Sequence, residues 1–213
     1  MRCFFLLMLS LFSMSITLQK VHFQKLISIE EYELMITELA EFNLEQLSSN
    51  PLVDASIKMQ AKKYFEVTNS VQVQQKVYNF FSELKGRYSW FVLIGEDCRY
   101  LAYILPVLKA LAAAADEIDL FTVSLAENEA YSHSFLSGDN VWFPTLICTK
   151  NGGSDVLFSW NSPTVFMDSN IGESFLSLTD KKLKMACLDD WFEKDHGQSI
   201  QLEIYELFKK NIY

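Results

Sequence analysis

One cysteine in this sequence, Cys98, has neighbours that suit thiol chemistry. It lies in residues 95–101 (GEDCRYL), between an apolar run and a stretch rich in leucine and alanine. This pattern predicts a buried strand that passes into a helix, with the cysteine in the first helical turn. Free backbone N–H groups and the positive end of the helix dipole stabilise a thiolate there. The spacing therefore makes Cys98 a candidate nucleophile.

The charged neighbours of Cys98 act in opposite directions. Arg99 favours a thiolate, whereas the carboxylates of Glu96 and Asp97 raise the thiol pKa. The sequence alone leaves the sum of these effects open. Leu101 stands where a two-cysteine exchange motif would have its second cysteine, which excludes internal resolution of a mixed disulfide.

A second candidate feature is the segment Trp142-Phe143-Pro144 at the start of an apolar strand. An X–Pro bond prefers trans by only about 0.5–1 kcal/mol, so a cis Phe143–Pro144 bond is accessible. We expect Pro144 to face Cys98. Trp142 and Phe143 would then form an apolar rim that binds an extended peptide, or alternatively belong to the core.

The elements that position these residues follow from periodicity. Ser28 and Glu31 form a capping box for a helix over 28–47, and a second helical region runs from about 53 to 84, with a possible break near 68–69. The apolar runs 88–95 and 118–125 predict buried strands. The helix between them, 98–115, makes this a parallel βαβ crossover.

The second half of the chain predicts one more helix, a hairpin and two terminal helices. The helix covers 127–137, and the sequence KNGG separates strands 141–149 and 155–160 as an antiparallel pair. Residues 180–213 read as two amphipathic helices joined at His196-Gly197. The predicted class is α/β, a central mixed sheet in the order βαβαββα with helical extensions at both ends.

Residues 96–102, 105–107 and 143–147 together resemble a bacterial group of the thioredoxin family with a helical N-terminal extension. That group carries a Trp-Cys-Gly-Asp segment, then Leu-Pro, and a cis-proline downstream. The resemblance extends over about residues 23–213, including 29–32, 158–160 with Pro163, and 191–197. Asp97 replaces the family's Trp, and Arg99-Tyr100 replaces Gly-Asp.

Two functions follow from this resemblance. In the first, Cys98 is a single catalytic thiol of a weak thiol-disulfide oxidoreductase. It acts on protein or peptide thiols and disulfides, and an external thiol such as glutathione resolves the mixed disulfide. In the second, the chain is a catalytically inactive thioredoxin-fold module that binds a protein or peptide partner through Trp142, Phe143 and Pro144. No other cofactor and no metal is expected.

Composition limits the remaining function classes. A net charge of −9 argues against nucleic-acid binding, and the scattered cysteines indicate neither a disulfide framework nor a zinc site. Cys148 and Cys187 fit core or half-buried packing. We expect one thioredoxin-like domain at 87–180, a helical extension at 21–86 and a C-terminal helical segment at 181–213. The sequence leaves the oligomeric state open.

The first twenty residues allow two interpretations. The uncharged apolar run at 4–12 has the length of a signal-peptide core but is too short to span a bilayer, and 13–15 is a small-x-small cleavage candidate. In that case the protein is exported, to the periplasm or outside the cell. Alternatively translation starts at Met14, the upstream residues are spurious, and the protein is cytoplasmic.

Overall fold

The computed structural model describes residues 23–41, 51–95, 98–128, 144–150, 153, 155–161 and 178–212. Its strands and helices in chain order are β1 Ile27–Ser28, α1 Ile29–Glu41, α2 Pro51–Ser70, α3 Gln75–Ser82, β2 Tyr88–Ile94, α4 Leu101–Ala113, β3 Ile118–Ser124, β4 Thr145–Lys150, β5 Asp155–Trp160, α5 Lys181–Asp195 and α6 Gln198–Ile212. None of the helices in these ranges combines the length and apolar character needed to cross a membrane.

The five described strands form one mixed sheet in the order β1-β3-β2-β4-β5. β2 and β3 are parallel over their whole length, from Tyr88 opposite Ile118 to Ile94 opposite Ser124. β4 runs antiparallel to both β2 and β5. The predicted α/β class, the βαβ crossover and the C-terminal hairpin are therefore confirmed.

Several predicted element bounds need correction. The segment 21–86, expected to be helical only, also supplies β1, which pairs antiparallel with β3. A two-residue strand is too short to show an alternating pattern. The helical region 53–84 is divided at 71–74 into α2 and α3. The helix expected at 127–137 lies almost entirely outside the described residues.

The helix after β2 begins later than expected. We predicted a start at Cys98, whereas α4 starts at Leu101. The N–H of Cys98 is bonded to the carbonyl of Gly95 at 3.3 Å, and that of Leu101 to the carbonyl of Cys98 at 3.2 Å, so residues 98–101 form a tight turn before the helix. The thiol therefore precedes the helix instead of lying in its first turn.

The main core lies between one face of the sheet and the described helices. Trp90, Val92 and Cys148 face this layer, as predicted for central strands with apolar residues on both faces. On the opposite face Phe91, Leu93, Val123 and Ile147 form a second buried cluster.

Phe208 of α6 is the centre of the main core. Its ring centroid lies 5.2 Å from that of Phe81 in α3, 5.5 Å from Tyr88, 5.7 Å from Trp90 and 5.2 Å from Phe158. Edge-to-face aromatic pairs at these distances contribute about 0.5–1.5 kcal/mol each beyond area burial. This one side chain joins α6 and α3 to two strands, β2 and β5.

The junction of α5 and α6 depends on two left-handed residues. The backbone has φ +52° at His196 and +74° at Gly197, and the two helices meet there as predicted. A Cβ added at Gly197 would overlap Cγ2 of Val107, a fully buried residue of α4. Glycine thus permits both the turn and the close approach of the junction to α4.

We predict that Gly197→Ala lowers the free energy of unfolding by about 2–4 kcal/mol, because the left-handed backbone and the overlap with Val107 both oppose the methyl group. Urea denaturation measures the loss. Gly86→Ala is the matched control, since Gly86 has φ +92° but its added Cβ would meet no atom closer than Cε of Lys150 at 3.5 Å. The control should lose about 1–2 kcal/mol. Equal losses in the two variants would refute the steric argument.

Candidate functional site

The Cys98 turn, residues 98–100, links the end of β2 to the start of α4. β2 is the central strand of the sheet, and its rigid pairing with β3 and β4 fixes where the turn begins. Tyr100 is the N-cap residue of α4, and its carbonyl accepts the N–H of Ile104 at 3.1 Å. The cysteine therefore lies beyond the carboxyl end of a central strand, which is where open α/β sheets commonly bind their ligands.

Burial controls the chemistry of Cys98. The residue is only 5% exposed, and desolvation raises the pKa of its thiol to about 12. Backbone groups of Gly95 and Leu101 hydrogen-bond to the sulfur and act in the opposite direction, but more weakly. Removing a thiolate from water costs more free energy than hydrogen bonds from two backbone N–H groups return. The thiol is therefore protonated at neutral pH.

Arg99 does not act on the thiol as we expected. Its guanidinium Nη2 is bonded to Oδ2 of Asp189 in α5 at 3.0 Å, and it is not among the groups that shift the pKa of Cys98. The pairing directs the positive charge toward α5. The side chains of Glu96 and Asp97 lie outside the described residues.

Aromatic stacking holds α5 against the start of α4. The rings of Tyr100 and Tyr103 each lie 5.0 Å from that of Phe192, with interplanar angles of 18° and 25°. The hydroxyl of Tyr100 also donates to the carbonyl of Met185 at 3.2 Å. These contacts fix the Cys98 turn beneath α5.

A network of charged side chains lies on the exposed side of the contact between α2, α4 and α5. Nζ of Lys63 in α2 lies 2.7 Å from Glu193 and 2.9 Å from Glu66, and the hydroxyl of Tyr103 donates to Glu193 at 2.9 Å. These hydrogen bonds raise the pKa of Lys63 and lower that of Glu193. A cavity of about 150 Å³ opens between α2, α4 and α5, and Cys98 is not among its lining residues.

The N-terminal helix α1 also approaches the thiol, which the sequence analysis missed. Burial raises the pKa of Tyr32, and the side chain packs against the buried cluster to which Cys98 belongs. The ring of Tyr32 packs edge-on against Tyr64 of α2 at 5.9 Å. Tyr32 lies within the helix predicted over 28–47, but no local sequence pattern indicates that it would pack near Cys98.

Pro144 lies near the same end of the sheet as the Cys98 turn. Thr145 is opposite Leu93, so continuing this register places Pro144 beside Ile94. Pro144 is buried. Thr145 Oγ1 is also buried and has no hydrogen-bond partner among the described residues. Trp142 and Phe143, and with them the isomer of the Phe143–Pro144 bond, lie outside those residues.

The other described cysteines lie in β4 and in α5. Cys148 is fully buried opposite Trp90 in the β2–β4 pair, and desolvation raises the pKa of its thiol. Cys187 is half-buried on α5. Within the ranges the structure describes, no cluster of three or more His, Cys, Asp or Glu side chains could hold a metal ion.

Comparison with known proteins identifies the family. A family model described as thioredoxin matches residues 47–169, which is more than half of the chain. The chain belongs to the thioredoxin family. The match begins just before α2 and runs past β5, so it contains both Cys98 and Pro144. No curated protein matches the sequence.

Two solved structures are similar to this chain. The crystal structure of an HIV epitope scaffold is 11% identical and has a TM-score of 0.54, with 71% of this chain and 86% of that chain covered. A protein of unknown function from Pseudomonas aeruginosa is 13% identical and has a TM-score of 0.48, with 73% and 85% covered. At such identities the first likeness supports the fold alone.

The raised pKa of Cys98 predicts a loss of stability in alkali. An unfolded thiol titrates near pH 8.5, so the native state keeps a proton that the unfolded state releases between there and about pH 12. The stabilisation is complete below pH 8 and falls as the pH rises. Between pH 7.5 and 10, wild type should lose about 1–2 kcal/mol more than Cys98→Ala in urea denaturation. Identical pH dependence of the two proteins would show that the thiol is not buried.

Proposed function

We propose that this thioredoxin-family protein is a binding module that does not exchange disulfides through Cys98. The observation that carries the proposal is the burial of the Cys98 sulfur, with its pKa raised to about 12. The thiolate is the nucleophile in exchange, and at pH 7.5 a thiol of that pKa is ionised to only about 1 part in 30,000. Substrate disulfides would also need a route to an atom that α1, α4 and α5 enclose.

The environment of Leu101 supports the same proposal. Leu101 is 6% exposed and belongs to the main core. The residue at the position of a second cysteine therefore packs in the core. Apolar contact there stabilises the fold and leaves no polar group to assist exchange.

The binding surface in this proposal is the segment before β4, with Trp142 and Phe143 as its contact residues and the buried Pro144 fixing the entrance to the strand. Aromatic side chains beside a strand entrance suit an extended peptide, because they supply apolar area while backbone groups supply hydrogen bonds. The unpartnered hydroxyl of Thr145 is consistent with a polar group arriving from outside the described residues. The partner is a protein or peptide segment in extended conformation.

A weak single-cysteine oxidoreductase is the second candidate. The backbone hydrogen bonds from Gly95 and Leu101 to the sulfur favour it, since such bonds stabilise a thiolate. In that reaction the Cys98 thiolate attacks a substrate disulfide, forming a mixed disulfide and releasing one substrate thiolate. The thiolate of reduced glutathione then attacks the substrate sulfur of this mixed disulfide. A disulfide between glutathione and the substrate forms, and Cys98 leaves as the thiolate.

We also infer membership of the bacterial thioredoxin group with a helical N-terminal extension. The support is the packing of α1 and α2 onto the domain that contains Cys98, where Glu33 of α1 accepts hydrogen bonds from Tyr64 at 2.8 Å and from Lys109 of α4 at 2.5 Å. Interactions of this kind tie the extension to the helix that follows the cysteine.

We expect alkylation of native protein by iodoacetamide at pH 8 to modify Cys98 at least 100-fold more slowly than Cys187, because only the second thiol has an exposed surface. Mass spectrometry of both peptides from one sample gives the ratio, and the same ratio after urea unfolding serves as the control. A Cys98 rate equal to or above that of Cys187, together with insulin reduction supported by glutathione, would establish the oxidoreductase instead.

Peptide binding tests the module directly. Peptides selected against the wild-type chain from a random-sequence display library should bind Cys98→Ser with a Kd within about twofold of wild type. Trp142→Ala should weaken them about tenfold or more, since loss of an aromatic anchor costs about 2 kcal/mol. Circular dichroism checks that both variants are folded. Binding that is lost in Cys98→Ser but kept in Trp142→Ala would refute the proposal.

A further inference from the structure

The outer edge of β3 is paired over only part of its length. β3 pairs with β2 along all seven residues from Ile118 to Ser124. On its other side β1 pairs only with Phe121 and Thr122. Within the described part of the chain, residues 118–120 therefore have no strand on that side. The backbone N–H and C=O groups on such an edge are a template for another extended chain.

A groove runs beside this open edge. It is a cavity of about 470 Å³ between the start of α1, the end of α4 and β3. Its lining includes Ile29, Glu30, Lys109, Ala113, Asp116 and Asp119. The volume is within the range of sites that hold small ligands or peptide segments. Alanines of α4 form a low wall, which leaves room for the side chains of a chain lying against β3.

The path of β1 shows how an added strand would lie. Ser28 is opposite Phe121, and the chain then leaves the sheet at Ile29 to form α1. An added strand in line with β1 would take the places opposite Leu120, Asp119 and Ile118. Three residues of a strand span about 10 Å.

The charges around the groove favour a basic occupant. Within the described ranges, the carboxylates of Glu30 and Asp116 take part in no ion pair. Lys109 is already bonded to Glu33 at 2.5 Å, and Asp119 pairs with Arg87 at 3.1 Å. The groove is thus acidic at both ends, in a chain of net charge −9.

We propose that the edge of β3 at 118–120, with its groove, binds an extended segment of a protein partner in which lysine or arginine alternates with small apolar residues. Main-chain hydrogen bonds to β3 provide affinity, and Glu30 and Asp116 select basic side chains. The site lies at the opposite end of β3 from the Cys98 turn, because Ile118 is opposite Tyr88, where β2 begins. It is independent of the binding surface at Pro144 and of any reactivity of Cys98.

A synthetic hexapeptide of alternating lysine and valine, acetylated and amidated, is the probe. Titrated into the isotope-labelled full chain, it should shift the amide resonances of residues 118–121 in a saturable way. Asp116→Lys should weaken binding about threefold or more, since one favourable surface charge contact becomes repulsive. Glu38→Lys is the matched control, because Glu38 is exposed on α1 and does not line the groove. The control should change the Kd by less than about twofold.

Backbone methylation separates strand addition from simple charge attraction. Two further peptides carry N-methyl groups on alternate amides, one in each register, and one of the two should bind about tenfold more weakly than the parent. Ala113→Arg, at an exposed position of the groove wall, should also abolish the shifts. Undiminished binding of both methylated peptides, shifts confined to other residues, or no saturable binding would each overturn the proposal.

Discussion

The burial of Phe208 is the contact on which the positions of the other elements depend. Through it α6 packs on α3 and on two strands, β2 and β5, and the short left-handed junction at His196-Gly197 then places α5. With α5 in place, Phe192 stacks on Tyr100 and Tyr103, and Asp189 can bind Arg99. The environment of Cys98 is thus set by a chain of contacts that begins in the core.

Two opposing effects decide the state of the Cys98 thiol. Helix-terminus interactions with a charge are worth about 0.3–1 kcal/mol at exposed sites and up to about 2 kcal/mol in partly buried ones, which corresponds to at most about 1.5 pKa units. Desolvation shifts a fully buried group by up to about 3–5 units. In this protein the turn preserves the backbone groups that would stabilise an anion, but the covering helices remove the water, so the larger effect prevails.

Local sequence patterns were sufficient to predict the fold. They did not predict the surroundings of Cys98, because those surroundings depend on contacts between residues far apart in the chain. Apolar runs and a glycine turn were sufficient for the parallel crossover, the hairpin and the C-terminal helix pair. The ion pair between Arg99 and Asp189 joins residues 90 positions apart, and no local sequence pattern predicts it. The late start of α4 was missed for a different reason: propensity favours helix throughout 98–115, whereas the backbone of 98–101 forms a tight turn.

The Cys98 turn and the residues of α5 that contact it are far apart along the chain, and this separation has a consequence during synthesis. The contacts from Met185, Asp189 and Phe192 to the Cys98 turn are made by residues that leave the ribosome well after the turn itself. At about 5–20 residues per second, the 90 residues between Arg99 and Asp189 take roughly 5–20 s to emerge. Throughout that interval the Cys98 turn lacks its hydrogen bonds and ring contacts with α5, and it gains them only after α5 has been synthesised.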